Sequence, residues 1–116
     1  MENLLSEGTV KDIDVIISEN DNMIFGAMKA LDRNGKSYGP EGDIIMISFD
    51  ALHESFENMM AGKLHATVEC NPLLASTVGT VIEELEAGRE VDKIYNTEEN
   101  IYTYENAADY IDQRKY

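Results

Sequence analysis

The run Ile13-Asp14-Val15-Ile16-Ile17-Ser18-Glu19-Asn20-Asp21-Asn22-Met23 constrains this chain more than any other stretch. Val15, Ile16 and Ile17 are consecutive β-branched residues, which suit a strand buried on both faces. The strand stops at a polar cluster, and a helical pattern follows at once. Ile24, Met28 and Leu31 recur at helical spacing, with Phe25 and Ala27 beside them. Asp21 or Asn22 suits the N-cap, and Gly35 suits a left-handed C-terminal cap. The same order recurs twice. Ile44 to Phe49 ends in Asp50 and leads to a short helix from about His53 to Ala61, stopped by Gly62. Ala66 to Glu69, more polar and so expected nearer an edge or a hinge, ends in Cys70-Asn71. Open α/β sheets bind ligands outside the carboxyl ends of their strands. Asn20, Asp50 and the Glu69/Cys70/Asn71 group therefore belong to one predicted rim.

The rest of the chain fits that plan. Residues 2–7 read as the last turns of a helix closed by Gly8, with a loop to Lys11. Pro72 suits the first turn of a third helix, with Asn71 as its cap. Leu74, Val78, Val81 and Leu85 form an apolar stripe along it, and Gly88 closes it. Beyond Gly88, Val91 to Tyr95 and Ile101 to Tyr104 each read as a short strand. Asn106 to Lys115 reads as a final helix with Ala107, Tyr110 and Ile111 inward. The class is α/β, a largely parallel sheet with flanking helices.

A chain of 116 residues is one domain's worth. Nine basic against 23 acidic residues give a net charge of −14, which sets the chain against nucleic acid and anionic membranes as partners. A single cysteine and two isolated histidines supply no disulfide and no metal site, and no cofactor is expected. No stretch reaches the ~20 apolar residues of a membrane span. The first eight residues lack the basic start and apolar run of a signal peptide.

Residue by residue, the rim has two readings. Asn20 and Asp50 are either turn and cap residues or ligand contacts. Glu69 is either a site acid or a solvated strand end. Asp21 suits a helix cap, and Cys70 a small semi-buried residue. His53 and His65 suit the surface, and the methionines suit core filling. The tyrosines at 95, 102, 104, 110 and 116 suit a packed tail with wet hydroxyls. No nucleophile–base pair, phosphate loop or metal cluster points to an enzyme.

The stretch Ser18-Glu19-Asn20-Asp21-Asn22-Met23-Ile24-Phe25-Gly26-Ala27-Met28 resembles a segment in the C-terminal half of type I periplasmic sugar-binding proteins. Ile45-Met46-Ile47-Ser48-Phe49-Asp50 and then Gly62-Lys63-Leu64-His65-Ala66-Thr67-Val68 are similar to that family's next two landmarks, in order and spacing. Ala66 to Pro72 looks most like the galactofuranose, pentose and hexose binders. The resemblance implies a two-lobed protein, much longer than this chain, that holds a monosaccharide between its lobes and delivers it to the membrane subunits of an ABC importer. It implies that Asn20 and Asp50 bond sugar hydroxyls. A third contact falls at Cys70, a poor donor, with Glu69 or Asn71 as its substitute. It further implies that residues 1–70 are elements of the C-terminal lobe. Residues 72–88 are then a helix made to pack on the first lobe, and 91–116 a returning strand and tail. On that reading the first lobe lies outside this chain. The helix stripe then docks on a second copy, giving a homo-oligomer, or folds back on its own sheet. The intact protein is expected in the periplasm or anchored outside the cell.

Two other readings stand beside this one. The effector domain of a lactose-repressor-type regulator shares the fold. It usually carries a Pro-Pro-Leu-Thr-Thr-Val-like stretch where Gly62 to Val68 stands here. A phosphoacceptor receiver domain fits the length, the acidity and the place of Asp50. It needs an acidic pair, which Glu19 and Asp21 imitate, and a lysine with no convincing candidate.

Overall fold

The computed structural model describes residues 1–6 and 12–116. The expected Gly8 closure and the loop to Lys11 lie outside the described residues. Strand β1 (Val15–Ile17) leads into α2 (Asp21–Arg33), β2 (Ile45–Asp50) into α3 (His53–Met60), and β3 (Ala66–Glu69) into α4 (Ala75–Glu86). A short α1 (Glu2–Ser6) precedes them. Strand β4 (Ile101–Thr103), α5 (Ala107–Tyr110) and a 3₁₀ turn over Ile111–Gln113 follow. The sheet order is β1-β2-β3-β4, with the first three strands parallel and β4 antiparallel to β3. The three parallel strands therefore end on one edge, as the sequence implies.

Strand alternation divides the sheet into a covered and a bare face. Met46, Ser48, Thr67, Glu69 and Tyr102 are buried on the covered side. Ile24, Phe25, Met28 and Leu31 of α2 and Phe56 and Met59 of α3 meet them in one core, with Leu64 and Ala107. On the other side Val15, Ile17, Ile45, Phe49 and Ile101 are 38–66% exposed. This corrects the expectation of strands buried on both faces. The residues are apolar on both sides, but among the described residues helices pack on only one.

Other elements depart from expectation. Strand β3 is internal, because β4 pairs along its far side. Its polar Thr67 and Glu69 are buried and hydrogen-bonded rather than facing solvent. The cap of α2 is Asn20, whose Oδ1 accepts from the Met23 amide at 2.8 Å, not Asp21 or Asn22. Helix α4 begins at Ala75, because Asn71 spends its side-chain oxygen on the Leu73 amide in a local turn. Residues 91–95 are irregular rather than a strand, with no described neighbour pairing there. The last helix is shorter than 106–115, and Tyr110 is 40% exposed, its ring against Tyr102. Met28, Met46 and Met59 fill the core, whereas Met23 and Met60 are exposed. His65 is half-buried, and its Nδ1 accepts from the Met46 amide at 3.1 Å. Burial lowers its pKa.

Helix α4 buries none of its residues. Of the predicted stripe, Leu74, Val78 and Leu85 are 42–56% exposed and Val81 is half-buried, so the stripe does not fold back on the sheet. The radius of gyration of 18.5 Å exceeds the roughly 13 Å of a compact domain this long, as a projecting arm requires. Gly35 (φ 62°) and Gly88 (φ 72°) end α2 and α4 in the left-handed region that favours glycine.

The one-sided sheet sets unequal costs for apolar truncation. Leu64→Ala, at a fully buried site, should lower stability by about 2–5 kcal/mol. Ile17→Thr, 66% exposed on the bare face, should cost about 1 kcal/mol or less. Urea unfolding of both variants measures the difference, and equal large losses would show a covered face.

Candidate functional site

The candidate site is built around one buried carboxylate. Asp21 opens α2 and is fully buried. Its Oδ1 accepts from the Ser48 hydroxyl, and from the Thr67 hydroxyl at 3.0 Å. Its Oδ2 accepts from the Leu52 amide at 2.7 Å. Thr67 Oγ1 in turn accepts from the Ala51 amide at 3.2 Å. One anion thus joins α2, β2, β3 and the entry to α3. Its place in the first helical turn, where partial positive charge gathers, suits a carboxylate. Asp21 is therefore a buried organiser of the corner rather than the cap residue its sequence suggests.

The corner that Asp21 and Thr67 hold is Asp50-Ala51. Asp50 has φ 108° and Ala51 φ 60°. Both lie in the left-handed half of backbone space, where a non-glycine residue costs about 1–3 kcal/mol and persists only when its surroundings over-determine it. Here the hydrogen bonds to Ala51 and Leu52 do so. The Asp50 carboxylate itself is half-exposed and takes no hydrogen bond or ion pair among the described residues. Its carbonyl accepts from the Cys70 amide at 3.5 Å.

Asn20 lies on the neighbouring strand end. The β1–β2 pairing ends at Ile17 and Ile47, and Asn20 and Asp50 each lie three residues further along their chains. The Asn20 Oδ1 is spent on the α2 cap, its carbonyl accepts from the Ser18 hydroxyl at 2.8 Å, and its amide protons have no partner among the described residues. Two neighbouring strand ends thus present an amide donor and a carboxylate with no bond among the described residues.

The third strand end contributes differently. Cys70 is exposed and Asn71 half-buried at the rim, with Asn71 Oδ1 occupied by Leu73. Glu69, in register with Asp50, is buried below them. Its Oε1 accepts from Arg114 Nη2 at 2.9 Å and the Tyr116 hydroxyl at 2.7 Å. Its Oε2 accepts from the Tyr102 hydroxyl at 3.2 Å and from the Asn100 amide and side chain at 3.2 and 3.3 Å. Burial pushes the Glu69 pKa up, but the Tyr116 and Arg114 hydrogen bonds and the Arg114 charge hold it below the usual carboxylate range. The Tyr116 hydroxyl is pushed up to about 12 by burial and by its bond to Glu69. Glu69 is thus saturated from within and stands apart from Asn20 and Asp50. The hydroxyls of Tyr102 and Tyr116 are bonded to it rather than wet. Sequence reasoning missed Asp21 as organiser, and Arg114, Tyr116 and Asn100 as partners of Glu69. One signal was present: Ser48 and Thr67 are polar residues at core positions of their strands.

Among the described residues no cluster could hold a metal ion, and no helix is long and apolar enough to cross a membrane. The candidate site is an open rim of polar groups at the strand ends.

An open, mostly parallel sheet with such a rim is the architecture of a lobe of a two-lobed periplasmic binding protein. The chain belongs to the periplasmic binding protein domain family, which its residues 1–107 match. It is 27% identical to the galactofuranose-binding protein YtfQ of Escherichia coli over 111 residues, covering 95% of this chain and 34% of that protein. It is 33% identical to the ribose import binding protein RbsB of Bacillus subtilis over 94 residues, covering 80% and 28%. Among solved structures it is similar to the arabinose ABC transporter binding protein of Shewanella bound to L-arabinofuranose, with TM-score 0.88 and 29% identity over 98% of this chain and 37% of that one. A Mycobacterium smegmatis protein in complex with β-D-fucofuranose gives TM-score 0.88 and 31% identity, over 99% and 36%. The chain spans about a third of the length of the relatives it matches.

The strained corner makes stability and site chemistry separable. Asp50→Gly removes the strain, and after glycine's own entropic cost should raise stability by about 1 kcal/mol. Asp21→Asn, which turns an acceptor of three hydrogen bonds into a half-donor, should lower it by about 1.5–3 kcal/mol. Urea midpoints at neutral pH measure both, and a destabilised Asp50→Gly would contradict the strain.

Proposed function

We propose that this chain is a monosaccharide-recognition surface, one side of the clamp of a solute-binding protein that serves an ABC importer. The observation that carries the reading is that Asn20 Nδ2 and the Asp50 carboxylate, at two neighbouring strand ends, have no bond among the described residues. A sugar presents hydroxyls that both donate and accept. An amide donor and a carboxylate acceptor on neighbouring strand ends can engage different hydroxyls of one sugar, and hydrogen bonds to a charged group are the stronger kind. Cys70 and Asn71 border the same rim as further contacts, and Glu69 supports them from below. The names of the relatives support the class of ligand: galactofuranose, ribose, arabinofuranose and fucofuranose. We assign a pentose or furanose-form sugar accordingly. The role is binding without chemistry, and its relatives are binding proteins rather than enzymes. For the whole protein we propose a periplasmic or externally anchored location and the importer's membrane subunits as partners.

The comparisons support this reading and neither alternative. A receiver domain has the doubly-wound order 2-1-3-4-5. This sheet runs β1-β2-β3-β4 with an antiparallel last strand.

Amide-resolved NMR titration with arabinose, galactose, ribose and myo-inositol tests the proposal. Sugar-dependent shifts are expected at Asn20, Asp50, Ala51, Cys70 and Asn71. Asn20→Ala and Asp50→Asn should each weaken binding about tenfold or more, the effect of losing a hydrogen bond to or beside a charged group. Shifts that survive both substitutions, or a rim that ignores every sugar, would sink it.

For the α4 stripe in the isolated chain we propose a second copy as occupant, because Leu74, Val78, Ile82 and Leu85 are all exposed along one helix. Sedimentation velocity should show association that rises with concentration and is suppressed by Val78→Lys. A monomer at every concentration contradicts it.

A further inference from the structure

The last residues of the chain meet the rim from below. Arg114 has a side chain only 7% exposed. Its guanidinium carbon lies 5.2 Å from the Phe56 ring centroid, 5.0 Å from Tyr102 and 4.6 Å from Tyr116. Such stacking favours the planar, delocalised guanidinium over an ammonium. Its Nη2 reaches Glu69 and its Nη1 the Tyr102 hydroxyl at 3.0 Å. The Tyr116 main-chain oxygen accepts from the His53 amide at 2.7 Å, at the first turn of α3 and just past the Asp50-Ala51 corner. The tail therefore grips two places that border the rim.

Glu69 is also where the chain leaves the sheet and where it returns. Its amide donates to the Asn100 carbonyl at 2.8 Å, and its Oε2 accepts from the Asn100 amide and side chain. The residues between them carry α4, which buries nothing of its own. The Glu69–Asn100 junction is thus the clamp at the root of the arm, and the tail holds Glu69 in place.

We infer that Arg114 and Tyr116 are positioning residues: acting through Glu69, they lock the two crossings at the rim and fix the direction in which the α4 arm leaves the sheet. Neither has a described bond to Asn20 or Asp50. A tail that served only to cover the core could be apolar. Here a buried cation and the hydroxyl of a half-buried tyrosine converge on the single residue that joins exit and return. Only the expected effect on sugar affinity rests on the recognition reading; the lock does not.

The test compares Tyr116→Phe, Arg114→Met and Arg114→Lys with Leu31→Val, a core control at the far end of α2. Amide residual dipolar couplings report the order of α4 relative to the sheet. In the unaltered chain one alignment tensor should fit both. In Tyr116→Phe and Arg114→Met the α4 couplings should shrink while the sheet couplings persist, with amide shifts concentrated at Cys70, Asn71 and Asn100. Arg114→Lys, which keeps the charge, should restore part of the order, and Leu31→Val should leave it unchanged. Sugar affinity should fall about tenfold where the locked fraction falls to about a tenth. If Arg114→Met does not fold, Tyr116→Phe alone decides, because it removes one hydroxyl and keeps the ring. A single tensor and unshifted crossings in Tyr116→Phe overturn the inference, whether or not any sugar binds.

Discussion

The buried carboxylate of Asp21 is the interaction on which the site depends. Its donors are neutral: two hydroxyls and one amide. A buried anion is tolerable on such terms only when its oxygens are well bonded and the local field favours negative charge. The start of α2 supplies the field and three separate segments supply the bonds. The geometry works in both directions. Ser48 and Thr67 have polar groups that burial would otherwise leave unsatisfied, and Asp21 satisfies them. In return they fix the carboxylate where it captures the Leu52 amide. The loop after β2 is then pinned at both Ala51 and Leu52, and Asp50 has little freedom left.

Two carboxylates in register show how this works. Asp50 and Glu69 are paired neighbours on β2 and β3. Alternation along β2 sends Met46 and Ser48 to the covered face and would send Asp50 there too. Glu69 follows that rule and is saturated by Arg114, Tyr116, Tyr102 and Asn100. Asp50 leaves it at φ 108°, and its carboxylate has no bond among the described residues. The backbone strain is thus the physical difference between a carboxylate bonded within the fold and one with no bond among the described residues. Strain persists where other contacts impose it, and here those contacts all trace to Asp21 and Thr67.

What was legible in the sequence was periodicity and punctuation. Consecutive β-branched residues, apolar helical spacing and the polar breaks at Asn20, Asp50 and Cys70 were enough to place three parallel strand ends on one edge. Local chemistry could not say which of several adjacent polar residues did what. Asn20, Asp21 and Asn22 are all good caps, and only the packed structure shows Asn20 capping while Asp21 turns inward. The role of Glu69 was hidden because its partners lie more than thirty residues away in a tail with weak periodicity. Val91 to Tyr95 has a strand's composition without a described strand to pair with, so composition misled. Polar Thr67 and Glu69 suggested an edge, yet polar residues inside a sheet are stable when their hydrogen bonds close internally.

The expectation of two-sided burial failed for a different reason. Val15, Ile17, Ile45, Phe49 and Ile101 are apolar, and the sequence reports that correctly. Apolar character records what a surface is suited to meet, whereas burial records what it meets among the residues present. Each such side chain is worth about 1.5–3 kcal/mol on full burial, so the bare face and the α4 stripe are large unrealised interactions. The polar rim is different in kind. Its free groups are few, oriented by buried bonds, and set on a strained backbone, whereas the apolar surfaces are broad and carry no such constraint. A surface that needs only area can be left to any matching partner. A strained corner has to be held from within, and Asp21 and Thr67 are the residues that hold it.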